Sequence, residues 1–202
     1  MIRSKRDYEF YLEADRIALG INRKRPRLLG DDVWKFERLL RKAEYFENCK
    51  KDIISRIYLN YIHYKLYKLS LKMGYWIPTN VFGPGLCVGF YSGPIVVNYH
   101  AKIGANCKIS HSVTIGGADK THKPPKIGNN VFIGPGAVIV GDIEIADGIA
   151  IGANSFVNKS FKDPGITIAG APAKKISDTA PEGLSIRATE IIEKTTRNNL
   201  HE

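Results

Sequence analysis

Residues 103–153 can be written as rows of six: Ile103-Gly-Ala-Asn-Cys-Lys, Ile109-Ser-His-Ser-Val-Thr, the start of a third row at Ile115-Gly-Gly, and then, after a loop, Ile127-Gly-Asn-Asn-Val-Phe, Ile133-Gly-Pro-Gly-Ala-Val, Ile139-Val-Gly-Asp-Ile-Glu, Ile145-Ala-Asp-Gly-Ile-Ala and Ile151-Gly-Ala. Each row opens with isoleucine, its second place is usually small, and its fifth place is Cys, Val, Ala or Ile, with Ser in the row that Ile151 opens. A fixed short period marks a solenoid. It has no helical period of 3.6, and strand alternation would not return Ile to every sixth place. A row of six suits a short strand ended by a turn. The first and fifth places point into a narrow core, and the Gly, Asn and Asp between them tolerate the corner dihedrals. Three rows then make one triangular turn, and stacked turns pair as parallel sheets around a continuous isoleucine core.

This pattern resembles the hexapeptide-repeat acyltransferases over residues 77–175. The ending Ile168-Ala-Gly-Ala-Pro-Ala-Lys174 is similar to the family's closing motif. The run from Ile95-Val-Val to Val113-Thr-Ile-Gly-Gly117 resembles the serine acetyltransferases and the O-acetyltransferases of surface-polysaccharide gene clusters. The resemblance implies an all-β left-handed parallel β-helix, assembly as a homotrimer and acetyl-CoA as cosubstrate.

The chain of 202 residues is 44% apolar and 25% charged, a soluble globular balance. No apolar run is long enough to span a membrane, and the basic N-terminus lacks the apolar core of a signal peptide. Cys49, Cys87 and Cys107 have no metal-ligand spacing, so no metal is expected. A reducing, cytoplasmic setting suits them. Residues 1–76 hold eighteen Lys/Arg against ten Asp/Glu and the remainder twelve against ten, so most of the net charge of +10 lies in the N-terminal part. Such a surface meets nucleic acid, an anionic membrane or phosphorylated substrates, or is simply solvated. The segment Asn22-Arg-Lys-Arg-Pro-Arg27 has no aromatic platform beside it, so no nucleic-acid partner is expected.

Three domains are expected: residues 1–76 helical, 77–176 the coil, 177–202 a polar tail. Ser4, three residues before Asp7, caps a first helix running to about Leu19. A second begins near Asp31 or Asp32. A third begins around Asn48 and ends at Gly74, with Ile53, Ile54, Ile57, Tyr58, Tyr61, Ile62, Leu66 and Leu69 as its buried stripe. Its tyrosines, mixed with Lys65 and Lys68, read as packing, with peripheral membrane contact as the alternative. The first coil turn, residues 77–94, is crowded with Gly and Pro. Counting six from Ile77 reaches Gly83, Gly89 and Ile95, and two extra residues precede Val97. The helical domain is expected to cap one end of the coil and the tail, with a short helix between Pro181 and Arg197, the other.

Acetyl transfer to an alcohol needs a base for a weakly acidic hydroxyl, and histidine's free pKa of about 6.5 suits that role. It also needs donors for the oxyanion. His63 and His201 read as packing or solvent residues. His111, at an outward third place of its row, His122, in the loop of residues 118–126, and His100 are the candidate bases. The serine acetyltransferases carry an Asp–His dyad just before Ile-Val-Val. Laid on this chain from Ile95, those places fall on Trp76 and on Tyr91 or Phe90, so the usual serine mechanism does not transfer. Tyr91 is expected one turn, about 4.8 Å, from His111. The segment Thr121-His122-Lys-Pro-Pro-Lys-Ile-Gly128 resembles the loop of the maltose and galactoside acetyltransferases. By resemblance, Gly116, Gly117, Ala118 and Lys120 lie at the reacting end of coenzyme A. Ala153, Ala169 and Gly170 line its arm, and Lys174 and Lys175 meet its phosphates. The expected function is O-acetylation of a sugar or surface-polysaccharide precursor. The alternatives are a serine O-acetyltransferase with an altered base and a non-catalytic scaffold.

Overall fold

The computed structural model describes residues 1–89, 93–117 and 123–198. Three helices come first: α1 (Lys5–Ala18), α2 (Asp32–Cys49) and α3 (Ile53–Met73). As expected, Ser4 Oγ caps α1 by accepting from Asp7 N at 3.0 Å. Between α2 and α3 the chain breaks, and Asp52 caps α3 by accepting from Ser55 N at 2.9 Å. α3 therefore starts five residues later than Asn48, because this cap satisfies a first-turn amide that a continuous helix would not leave open.

The coil follows as short strands. They are β1 (Tyr75–Trp76), β2 (Cys87–Val88), β3 (Ile95–Val97), β4 (Lys102–Ile103), β5 (Lys108–Ile109), β6 (Thr114–Gly116), β7 (Lys126–Ile127), β8 (Phe132–Ile133), β9 (Val138–Val140), β10 (Glu144–Ile145), β11 (Ala150–Ile151), β12 (Phe156–Val157), β13 (Thr167–Ala169) and β14 (Lys174–Ser177). They stack into three sheets, β1-β3-β6-β9-β12, β10-β7-β4 and β14-β13-β11-β8-β5-β2. Pairing is parallel except where β14 turns back on β13. This is the parallel β-helix expected from the rows. Ile103, Ile109, Ile115, Ile127, Ile133, Ile139, Ile145 and Ile151 are all buried, and so are the fifth places Cys107, Val113, Val131, Ala137 and Ile149.

The fourth place of the rows supplies the corner. Asn106, Ser112, Asn130 and Asn154 have φ of 54–59°, and Gly136 and Gly148 have φ of 72°. This left-handed geometry is open to Gly and tolerable for Asn, which is why those residues recur there.

The first turn keeps the fold but not the expected register. Trp76 pairs with Val96, Phe82 bridges Ile103 and Val88 pairs with Ile109. The lead places are thus Phe82 and Val88, not Gly83 and Gly89. A glycine there would leave the core unfilled; the row that Ile77 opens is one residue short, which brings Phe82 and then Val88 to the lead places, and the row that Val88 opens runs three residues beyond six before Val97.

The helices hold this turn through buried ions. Arg41 is fully buried, donates to both oxygens of Asp15 at 2.7 and 3.2 Å and to Glu44 at 3.0 Å, and reaches the carbonyls of Phe82 and Gly83 at 2.9 and 2.6 Å. Asp15 in turn accepts from Gly85 N and Leu86 N, both at 2.9 Å. Burial opposes the charge on Arg41, but Asp15 and Glu44 beside it hold its pKa above the usual arginine value. Glu37 Oε1 accepts from Val88 N at 3.0 Å, while its Oε2 has no partner among the described residues. Burial, then the charge of Asp15, pushes the Glu37 carboxyl well above its ordinary range.

Two expectations are corrected. α3 does not bury its apolar stripe: Ile62 is buried and Leu66 and Leu69 pack against the core, but Ile53, Ile54, Ile57, Tyr58 and Tyr61 are exposed. α3 meets α2 and the first turn along one narrow edge, which leaves the rest of its girth uncovered. Nor does the tail cover the far end of the coil. Ala180 N donates to Gly165 O in the last turn. The chain then runs back across the sheet that holds β8 and β11 to α4 (Ala188–Asn198). Ala188 packs with Ala14, Ala18 and Cys87, and Thr189 joins Asn106 through two hydrogen bonds of 2.8 and 3.1 Å. The short tail helix expected before Arg197 is present, but it docks beside α1.

Candidate active site

Stacked rungs turn the sequence candidates into columns along the coil's corners. His111 lies at the corner between β5 and β6. Gly93 sits on it from the rung before, where an added Cβ would come within 2.9 Å of His111 Cβ. Gly136 N donates to His111 O at 3.1 Å from the rung after. Below follow Gly134, packed on Ala153 N; then Gly152, packed on Ala169 Cβ; then Gly170, whose carbonyl accepts from Phe156 N at 2.9 Å. His111, Ala153, Ala169 and Gly170 therefore share one edge over three rungs, roughly 14 Å. The exposed side chains along it are small, since longer ones would collide with the next rung. Lys174 and Lys175 lie in β14, where the chain turns back from this edge. Lys174 is exposed, whereas Lys175 pairs with Asp178, so the lysines are not equivalent for a phosphate.

His111 is half-buried, and its Nδ1 lies 3.4 Å from Ser112 Oγ. Ser112 stands at the left-handed fourth place, φ 59°, where its neighbouring rungs use Gly136 and Asn154. A serine there is strained. The strain sits beside the imidazole, and the row signal that would reveal it is the departure from Asn or Gly at that place.

Gly116, Gly117 and His100 belong to a different corner, at the far ends of β3 and β6. A Cβ on Gly116 would meet nothing within 4 Å, so this backbone faces open space. His100 is exposed, its ring 4.0 Å from that of Tyr99, and its amide donates to Asn98 Oδ1 at 2.9 Å. Lys123, where the described chain resumes, donates to Asp142 Oδ2 at 3.3 Å in the rung below Gly116. Ala118, Lys120 and His122 lie outside the described residues, as do Phe90, Tyr91 and His201. His63 is exposed and bound to Glu47 Oε1 at 2.9 Å. The two corners are separated by the length of β6, about 10 Å, so one copy of the chain does not bring His111 and His100 together.

Burial, then the charge of Glu37, pushes the Cys87 thiol up to about 12, and burial raises that of Cys107. Neither is a thiolate near neutral pH, so the imidazoles carry the candidate chemistry. No group of three His, Cys, Asp or Glu among the described residues is placed to hold a metal ion.

Residues 124–159 match the bacterial transferase hexapeptide (six repeats) model. Over those residues the coil is similar to the hexapeptide-repeat transferases. A serine acetyltransferase of Buchnera aphidicola subsp. Schizaphis graminum is 38% identical over 102 residues, 49% of this chain and 38% of that protein, so the chain spans well under half of its length. A Neisseria gonorrhoeae serine acetyltransferase, solved with serine, superposes with a TM-score of 0.66 at 28% identity, over 86% of this chain and 71% of the other. A Brucella abortus serine acetyltransferase solved with coenzyme A superposes with a TM-score of 0.62 at 24% identity, over 87% of this chain and 68% of the other, a likeness of fold. The hexapeptide-repeat coil here is thus preceded by helices in an arrangement that these solved proteins share.

A groove of about 580 Å³ between α3 and β1, not foreseen from the sequence, exposes the rings of Tyr67, Trp76 and Tyr99. It opens near the His111 corner. Gly74 in its wall lies against Pro94, and the neighbouring Gly93 lies against His111. Rows of six cannot show it, because α3 makes half of it.

Proposed function

We propose that the chain is an acetyl-CoA-dependent O-acetyltransferase acting on a small hydroxyl acceptor, with His111 as general base. The observation that carries this reading is the position of His111 at the head of an edge of small residues that leads to Lys174. An extended acyl carrier can lie along such an edge with its thioester beside the imidazole and a phosphate beside the lysine. The acceptor oxygen attacks the thioester carbonyl carbon as its proton passes to the imidazole. The tetrahedral oxyanion then collapses, the C–S bond breaks and the departing sulfur takes the proton back. A trimer would set the His111 edge of one copy against the Gly116 corner of the next, supplying across an interface what β6 keeps apart within a chain.

Between the two acceptors weighed from sequence, the relatives favour L-serine over a polysaccharide precursor, and serine is the first acceptor to assay. One observation favours the other reading. Trp76, 65% exposed, stands where the serine enzymes' aspartate is expected, and with Tyr67 and Tyr99 it offers the flat apolar faces on which sugar rings stack.

The test is thiol release from acetyl-CoA with L-serine and with a panel of free and nucleotide-linked sugars. His111→Ala should lower turnover by about 10²- to 10⁴-fold with coenzyme A affinity unchanged, and His100→Ala should not. A loss confined to His122→Ala would move the base to the loop. No turnover with any hydroxyl, together with no coenzyme A binding by calorimetry, defeats the reading.

A further inference from the structure

The helical domain carries a surface that the acyl-transfer reading does not use. Along α3, Ile54, Ile57, Tyr61, Lys65, Lys68 and Lys72 follow at intervals of three or four residues, so they share one face. Its first half is apolar: Ile54 is 81% exposed and Ile57 67%, with Ile53 beside them at 76%. Its second half is basic, and α3 carries Arg56 and three lysines with no acidic residue from Ile53 to Met73. Across from that half, α2 contributes Lys35, Arg38 and Lys42, closing a groove of about 620 Å³ floored by Tyr8, Leu39 and Tyr64. Among the described residues, the one carboxylate paired with any of these six cations is Asp32, which meets Lys35 and Lys72. Lys65 and Lys68 lie over the rings of Tyr61 and Tyr64 instead, at 4.9 and 5.7 Å.

We propose that this face docks on the surface of an anionic phospholipid bilayer, lysines on headgroup phosphates and the isoleucines at the boundary with the acyl chains. Three features select that occupant. A bilayer presents negative charge and hydrocarbon within one plane, and this face presents their complements within one helix. Tyrosine, with an apolar body and a polar tip, suits the layer between. A second copy of the same face would bring like charges together, and a solvated polyanion would leave the isoleucines in water. The helix lies on the membrane and does not cross it: among the described residues no helix is long and apolar enough to span. The site is separate from the His111 edge, so this inference does not depend on the proposed activity.

The experiment is flotation of the full chain with phosphatidylcholine vesicles, with and without phosphatidylglycerol. The protein should float with the anionic vesicles, less so as salt rises, and stay in solution with the neutral ones. Lys65→Gln with Lys68→Gln should weaken binding about 25-fold, at roughly 1 kcal/mol per lysine near an anionic surface. Ile54→Ser with Ile57→Ser should also release the protein from the vesicles. All four side chains are exposed, so both variants should melt with the wild type. Absence of flotation at low salt overturns the proposal, as does binding that both pairs leave unchanged. A wild-type oligomer that the isoleucine pair dissociates, without vesicle binding, would give the face to a second copy. Binding to RNA that only the lysine pair weakens, again without vesicles, would give it to nucleic acid.

Discussion

Ser112, beside His111, holds a left-handed backbone at a place where the coil elsewhere uses more tolerant residues. At the corner's fourth place the rungs below use glycine and asparagine, and serine holds φ 59° without their tolerance. Ser112→Gly should therefore stabilise the chain by about 0.5–1 kcal/mol, raising the melting temperature by roughly 1–4 °C. The same variant removes the hydroxyl 3.4 Å from His111 Nδ1 and should lower turnover. A thermal melt alongside an initial-rate assay checks both signs, and a destabilised variant would show that the serine is held by contacts worth more than its strain.

At the scale of elements, α2 fastens the helices to the coil's first turn through Arg41 and Glu37, and this joint depends on pH. Glu37 has a folded pKa raised well above its ordinary value by burial and by Asp15. Its neutral form suits the folded state, so its contribution is complete below the unfolded pKa of about 4.5 and is lost as pH rises through the folded value. Glu37→Gln keeps the size of the side chain and removes the titration. Its melting temperature should gain on the wild type as pH rises above about 4.5, in paired melts taken from that pH upward. Parallel curves would show that the carboxyl is already ionised in the fold.

The elements also show what could be read in advance. The regular rungs were legible because covalent counting and core geometry agree there: every sixth residue reaches the same place, and Ile at that place is buried from Ile103 to Ile151. Ser4 and Asp7 placed the start of α1 for an equally local reason, an amide and a hydroxyl three residues apart. Counting failed in the first turn, where one row is a residue short and a later one three residues long, and Phe82 and Val88 take the lead places. It failed for α3 because a stripe of isoleucine and tyrosine has the same period whether it faces a core or stays uncovered. Of the candidate site, the edge from His111 to Gly170 follows from the rows, since residues at equal places stack. The distribution of Gly116 and His100 to another corner needed the coil to be closed.

For the whole molecule, the tail is the longest-range connection. Two hydrogen bonds between Thr189 and Asn106, at about 1 kcal/mol each, and the cover of Ala188 over Ala14 and Ala18 sum to about 3 kcal/mol. Ending the chain after Ala180 should lower the melting temperature by roughly 6–12 °C and leave the β-type circular dichroism of the coil in place. An unchanged melt would mean that α4 rests on the surface without holding it.

The route of that tail also bears on the order in which the molecule is completed during synthesis. Rungs leave the ribosome one after another, and each can stack on the rung before it as soon as about six residues have emerged. α1 is made first of the described elements and α4 last. Until α4 is released, the apolar patch at Ala14, Ala18 and Cys87 is bare and the nascent coil has no clasp between its two ends. The chain therefore passes through a stage in which its sheets are built but open to other chains, and the last helix to appear ends that exposure.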